Sequence, residues 1–325
     1  MMTHIASGAA RPNCTAATKQ KALYLQYGFS PTLTESPATD LSVQVEWNST
    51  SDMRRWGRNG IFAAHPIGTS DGVGGYFGSQ ADGNPSQGGL IFSVWDKLDE
   101  QMPERNVSAC QAHGLNKTWC SSLHAFALSP GCRRHCLDCG LHPGWKNTTG
   151  VQCSVPMRLN ESDALRFRLH RTAAVATFSE PSQGLGLSYQ GSEWSLEASR
   201  VGADGAVEGS PVIVGRMFWQ GTFGGIDRLG AFHEHIGCTP CEAFYESELR
   251  TGPWIEAPQR RTVRRIGFAP PHVASCRLFD VEITTSAQGT PCAQFRTGPG
   301  AVPAPPLSPP PPPNSIHPHG RYRFR

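Results

Sequence analysis

Long apolar runs are missing from this chain. No stretch approaches 18 apolar residues, so nothing in it reads as a membrane-spanning helix. Charge is scarce as well: Asp, Glu, Lys and Arg make up 17% of the residues, against about 25% in ordinary globular domains. The net charge of +3 is small and spread out, which removes the electrostatic case for a nucleic-acid partner. Helical periodicity is absent too, since no segment keeps an apolar stripe over more than three turns. There is no Gly-x-Ser-x-Gly elbow, no P-loop and no dinucleotide fingerprint, so no nucleotide cofactor is expected. The opening MMTHIASGAARPNC lacks the apolar core of a signal peptide, and an incomplete N-terminus is the expectation that follows.

What is abundant is Gly and Pro, at 35 and 27 residues, together with alternation of period two. Leu23, Leu25 and Tyr27 share one face, with Tyr24 and Gln26 opposite. Val43, Val45 and Trp47 form a second such set, Leu165, Phe167 and Leu169 a third, Trp194, Leu196 and Ala198 a fourth, and Phe279, Val281 and Ile283 a fifth. Each reads as a half-buried strand. Many short amphipathic strands between Gly/Pro turns predict an all-β sandwich or barrel over residues 20–292. Residues 1–19 are small and polar and read as unstructured. From residue 293 the chain runs into PAPPLSPPPPPN, a polyproline II segment without a core, so 293–325 is expected to be a disordered tail. Its LSPPPPPN resembles the Ser-Pro repeats of plant and green-algal hydroxyproline-rich wall glycoproteins.

Cysteine and asparagine fix the expected compartment. Asn-x-Ser/Thr acceptors occur at Asn13, Asn48, Asn106, Asn116, Asn147 and Asn160, six of only nine Asn, where chance gives roughly one in eight. Eleven Cys agree, because paired thiols persist outside the cytosol. A secreted, extracellular or cell-wall glycoprotein is the expectation. Six Cys (Cys110, Cys120, Cys132, Cys136, Cys139 and Cys153) crowd residues 105–155, which reads as a loop insertion stapled by disulfides. Six Cys allow 15 pairings, so connectivity stays open. Cys238, Cys241, Cys276 and Cys292 are further disulfide candidates, and the odd one left over is assigned to Cys14.

Two Cys/His clusters have ligand-like spacing: Cys132, Cys136 and Cys139 among His124, His135 and His142, and FHEHIGCTPC with His233, His235, Cys238 and Cys241. In a chain marked for export, oxidised pairs compete with thiolate ligands, so no metal is expected. The acids Glu234, Glu246, Glu248, Asp280 and Glu282 are the candidates for carboxylate chemistry. The stretch ESELR is similar to the R-x-E-L-R strand of one alginate-lyase family, but Glu246 replaces its first Arg and the partner motifs are absent. It reads as a surface strand. The basic cluster Arg260, Arg261, Arg264 and Arg265 reads as a solvated strand or loop, with a phosphate or acidic-glycan site as the alternative.

The richest stretch is GGYFGSQADGNPSQGGLIFSVWD, residues 74–96. Alternation sends Phe77, Leu90, Phe92 and Val94 toward a core, and sets Tyr76, Gln80, Ser93 and Trp95 on the other side. Aromatic planes flanked by amide and hydroxyl groups suit a sugar. The bland alternative is that loops cover both sides, making Tyr76 and Trp95 packing residues. Gly75-Tyr76-Phe77-Gly78-Ser79-Gln80 followed by Phe92-Ser93-Val94-Trp95-Asp96 resembles the paired G-Y-F-G-x-Q and F-S-x-W-D signature of an uncharacterised secreted domain family. Ala164–His170, Tyr189–Ala198, Val214–Glu234 and Gly252-Pro253-Trp254 extend the resemblance over roughly residues 20–290. It implies a concanavalin-like jelly roll found near carbohydrate-active modules, with no established reaction. The expected site residues are Tyr76, Gln80, Trp95, Asp96 and Glu234. The expected role is non-catalytic binding of a polysaccharide or cell-wall glycan. A lyase or glycosidase on the same fold, or a structural matrix protein, are the alternatives.

Overall fold

A computed structural model describes residues 21–48, 60–69, 74–82, 89–95, 125–136, 149–157, 159, 163–179, 188–220, 224–236, 247–257, 261–268, 279–286 and 289–297. The sequence expectations for residues 1–19, most of the cysteines, the tail beyond Thr297, and all acceptor asparagines except Asn48 lie outside them.

All the described regular structure is antiparallel strand. Sixteen strands form: β1 (Lys21–Phe29), β2 (Asp40–Asn48), β3 (Gly60–Gly68), β4 (Gly74–Asp82), β5 (Gly89–Trp95), β6 (Ala125–Ala127), β7 (Cys132–Cys136), β8 (Thr149–Pro156), β9 (Ala164–Ser179), β10 (Ser188–Val201), β11 (Val207–Gln220), β12 (Arg228–Ile236), β13 (Ser247–Glu256), β14 (Arg261–Phe268), β15 (Phe279–Thr285) and β16 (Pro291–Thr297). A first sheet runs β6-β11-β10-β9-β2-β13-β16-β15, and a second runs β14-β1-β12-β3-β4-β5-β8-β7. The short β13–β14 pairing, Ile255 with Thr262 and Glu256 with Arg261, passes the chain from one sheet to the other. This is the expected jelly-roll type of sandwich.

The core lies between the two sheets and is filled by the residues that period two selects. Leu25, Val43, Phe77, Phe92, Phe167 and Trp194 are each buried in it. Rings interlock across the gap: Phe77 meets Phe167 at 5.7 Å and Trp254 at 6.1 Å, and Phe92 meets Trp219 at 6.3 Å. Each such side chain contributes about 1.5–3 kcal/mol by leaving water. One polar contact crosses the same gap, where the Trp47 indole N–H donates to Ser79 Oγ at 3.0 Å.

The outer face of the first sheet is a charge ladder. Arg168 pairs with Asp40 at 2.6 Å, Arg250 with Glu46 at 3.6 Å, Arg216 with Glu193 at 3.1 Å, and Arg296 with both Glu248 and Glu282 at 3.2 Å. Glu248 and Arg250 of ESELR are rungs of this ladder, while Glu246 lies outside the described residues.

Four expectations change. The Cys-rich region is not a separate loop module: β8 pairs with β5 along its length and β6 pairs with β11, so both sheets take strands from it. Its disulfide Cys132–Cys153 joins directly opposed residues of β7 and β8 and points into the core. The sandwich does not stop at residue 292, because β16 buries Ala293 and Phe295 against β13. Cys292 is a free thiol, not half of a disulfide. Its buried Sγ is enclosed between Gly252 and the Thr290 carbonyl. Ile283 is exposed although Val281 packs on the core, because β15 is an edge strand with β16 as its one described partner.

Candidate functional site

Among the described residues, the outer face of the second sheet carries no charge ladder. Antiparallel register sets its side chains in rows across the strands. One row is Glu234 on β12, Phe62 on β3 and Gln80 on β4. The next is Tyr24 on β1, Phe232, Ala64, Gly78 and Ile91. A third is Pro66, Tyr76, Ser93 and Gln152, and a fourth is Gly68, Gly74, Trp95 and Gly150. Tyr76, Gln80, Trp95 and Glu234, all expected at a site, therefore lie on one face. Asp96 lies outside the described residues.

The rings form an unbroken series. Centroids are 5.2 Å apart for Tyr24 and Phe232, 5.3 Å for Phe232 and Phe62, 5.3 Å for Phe62 and Tyr76, and 5.7 Å for Tyr76 and Trp95. Such tilted and edge-on pairs add about 0.5–1.5 kcal/mol each beyond burial. Trp95 departs from the expected open platform, being only 9% exposed. The reason is Gly150, directly opposite it on β8. A Cβ at that position would stand 2.9 Å from the indole Cε3, so the missing side chain lets the ring lie down against the strand. Tyr76 and Gln80 remain half-buried and reachable.

Glu234 is the outstanding polar group. Strand alternation turns its neighbour His233 into the core, where the ring meets Trp47 and Phe295 edge-on, and turns Glu234 outward. This alternation also separates the two residues within FHEHIGCTPC, while Cys238 and Cys241 lie outside the described residues. Glu234 is 6% exposed, and burial alone pushes its pKa from the ordinary carboxyl value up to about 7. Gln80 is two strands away across Phe62, on the order of 10 Å between Cα atoms, so the carboxyl and the carboxamide flank one ring.

Two phenols complete the face. Burial, then the nearby Glu234, raises Tyr24 far above its usual pKa. Tyr76 is pushed up to about 12 by burial, against a hydrogen bond from Ser93 and with Glu234. Ser93 itself is fully buried and accepts from Gln152 Nε2 at 3.2 Å. Tyr24, Phe62, Phe232 and Gln152 had no signal in the sequence beyond their place in alternating strands. Their partners are set by register across β1, β12, β3 and β8.

No family model matches this sequence, and no curated protein matches it. Among solved structures the chain is similar to scytalido-glutamic peptidase, in a crystal structure with a transition state analog inhibitor. The identity is 9%, the TM-score is 0.40, and the alignment covers 86% of this chain and 98% of that chain. At that identity and TM-score the likeness carries no argument about activity.

Proposed function

We propose that this chain is a secreted glycoprotein that acts on a glycan, with Glu234 as the acid–base group on the outer face of the second sheet. The observation that carries this is a carboxyl whose burial lifts its pKa to about 7, on a face that it shares with the phenols of Tyr24 and Tyr76 and the carboxamide of Gln80. A carboxyl tuned near neutral pH holds its proton for a leaving oxygen and takes one back with little driving-force penalty. A glutamine of the same shape would fill the place without burying an ionisable group, so packing alone does not account for it. The glycan class is drawn from the half-buried Tyr76 ring with Gln80 and Gln152 on the same face, the pairing of flat apolar surface with amides that suits a sugar. Export is supported by the Cys132–Cys153 disulfide and by Asn48, an acceptor asparagine that is exposed at the end of β2.

A second reading, non-catalytic glycan binding, is favoured by the half-buried Tyr76 ring with Gln80 and Gln152 on the same face, a surface that suits a sugar whether or not a bond is cut. The test is a panel of neutral and acidic polysaccharides scored for new reducing ends and for unsaturated uronide absorbance. Glu234→Gln should keep retention on the glycan while product formation falls by about 100-fold or more. Full turnover by Glu234→Gln refutes the acid–base role. Retention without product from the wild type leaves the binding reading.

A further inference from the structure

Arg261, Arg264 and Arg265, which the sequence groups together, are separated by the fold, and Arg260 lies outside the described residues. Arg261 turns inward and forms a buried ion pair, its guanidinium donating to both Glu256 oxygens at 2.8 Å and to the Ser36 carbonyl. Arg264 and Arg265 do something else. Along β14, Ile266 pairs with Tyr27 on the core side. Gly267 pairs with Gln26 and Arg265 with Gly28, both on the outer side. The register then slips, and Phe29 pairs with Val263. Arg264 is the extra residue of a β-bulge. Because Val263 and Ile266 both face inward, the two residues between them both face outward, and both are exposed. Bulges re-aim side chains in this way.

Among the described residues, neither arginine meets a carboxylate. On the first sheet, Arg168, Arg200, Arg216, Arg250 and Arg296 each have one. Arg264 and Arg265 stand instead on the face that carries Glu234, which is neutral below about pH 7. Between them and the rings the face is flat: Gln26 is flanked by Gly230 on β12 and Gly267 on β14. A Cβ at Gly267 would meet nothing within 4 Å, so the strip above it is open. Tyr24 and Gly28 are four residues apart on β1, about 13 Å, and an arginine at the Gly28 level covers much of that span.

We propose that Arg264 and Arg265 form an anion subsite, and that the glycan lying across the outer face is a polyanion whose acidic group sits there while a neighbouring sugar rests by Tyr24 and Glu234. The inference rests on the glycan reading above and deepens it. Guanidinium forks recognise carboxylate and sulfate oxygens alike, so uronate and sulfate ester are the two sources of one chemistry.

The test measures retention of the full-length protein on immobilised polyuronate, sulfated and neutral polysaccharides, for the wild type, Arg264→Ala/Arg265→Ala and Arg264→Lys/Arg265→Lys. Expected is about fivefold weaker binding of the alanine variant to one anionic glycan at 0.15 M salt, with partial recovery in the lysine variant. The difference should shrink at 1 M salt, where the screening length falls to about 3 Å, and neutral-glycan binding and the thermal midpoint should be unchanged. The anionic arm that responds names the group. Equal affinity of wild type and alanine variant for both anionic glycans overturns the proposal, as does an equal loss on neutral glycan. Wild-type binding to neutral glycan only overturns the subsite and leaves the glycan reading intact, whereas no glycan binding at all removes both.

Discussion

Replacing Glu234 by Gln should stabilise the protein above neutral pH and leave it nearly unchanged in acid. Glu234 titrates near 4.5 when unfolded and near 7 when folded. Between those values the folded chain holds a proton that the unfolded chain has released. The neutral carboxyl's contribution is therefore fully present below pH 4.5 and is lost as pH rises through about 7. The difference corresponds to about 3 kcal/mol. The groups facing Glu234 are Tyr24 on β1 and Tyr76 on β4, which stay neutral over this range and do not mask it. His65 runs the other way. It is buried among Phe77, Phe167 and Trp254, and burial lowers its pKa from 6.5 to about 3. The Gly230 backbone opposes this weakly, since neither ring nitrogen makes a well-formed hydrogen bond. Its contribution is present above pH 6.5 and lost as pH falls toward 3, about 5 kcal/mol in full. In the wild type the two slopes largely cancel between pH 4.5 and 6.5. In Glu234→Gln only the His65 slope remains, so stability keeps rising to pH 6.5 and then stays level. Urea unfolding at pH 4, 5, 6, 7 and 8 reads this directly. A variant-minus-wild-type difference that is the same at pH 4 and pH 8 refutes the reasoning.

Two further perturbations test the supports of the same face. Gly150→Val should lower stability by about 1–3 kcal/mol and red-shift tryptophan emission, because the new side chain strikes the Trp95 ring and the Val94 carbonyl; an unchanged thermal midpoint would show that the indole does not depend on Gly150. Glu256→Ala should cost about 3–5 kcal/mol in denaturant unfolding, since it leaves Arg261 charged and enclosed. A loss below 1 kcal/mol would show that the pair is solvated.

The sandwich was legible where alternation is strict. Leu23, Leu25 and Tyr27, or Leu165, Phe167 and Leu169, announce a buried face, and the structure buries all six. The GGYFGSQ…LIFSVW hairpin likewise revealed both of its sides. The strands of the Cys-rich region escaped notice because β8 alternates as Val151, Cys153, Val155, a pattern visible only when cysteine counts as apolar. The burial of Trp95 depends on Gly150, a residue that only the β5–β8 register brings opposite it. Glu234 was one acid among five. What distinguishes it are Phe62, Tyr24 and Gln80, which arrive from three other strands, and a linear reading holds no record of those meetings. Arg264 and Arg265 stand on the solvated strand that the cluster was read as, but that both turn outward is a property of the bulge against β1, and Arg261 departs from the reading because Glu256 holds it inside.

That bulge makes the arginine pair separable from the fold. Removing Arg264 would restore an unbroken β14–β1 ladder, with Val263 still opposite Phe29 and Ile266 still opposite Tyr27. One codon gained or lost would thus switch the outer strip between one guanidinium and two while the core registers no change. Proteins sharing this sandwich can differ in their taste for charged polymers by a single insertion, and aligned sequences would record it as a gap rather than as a substitution.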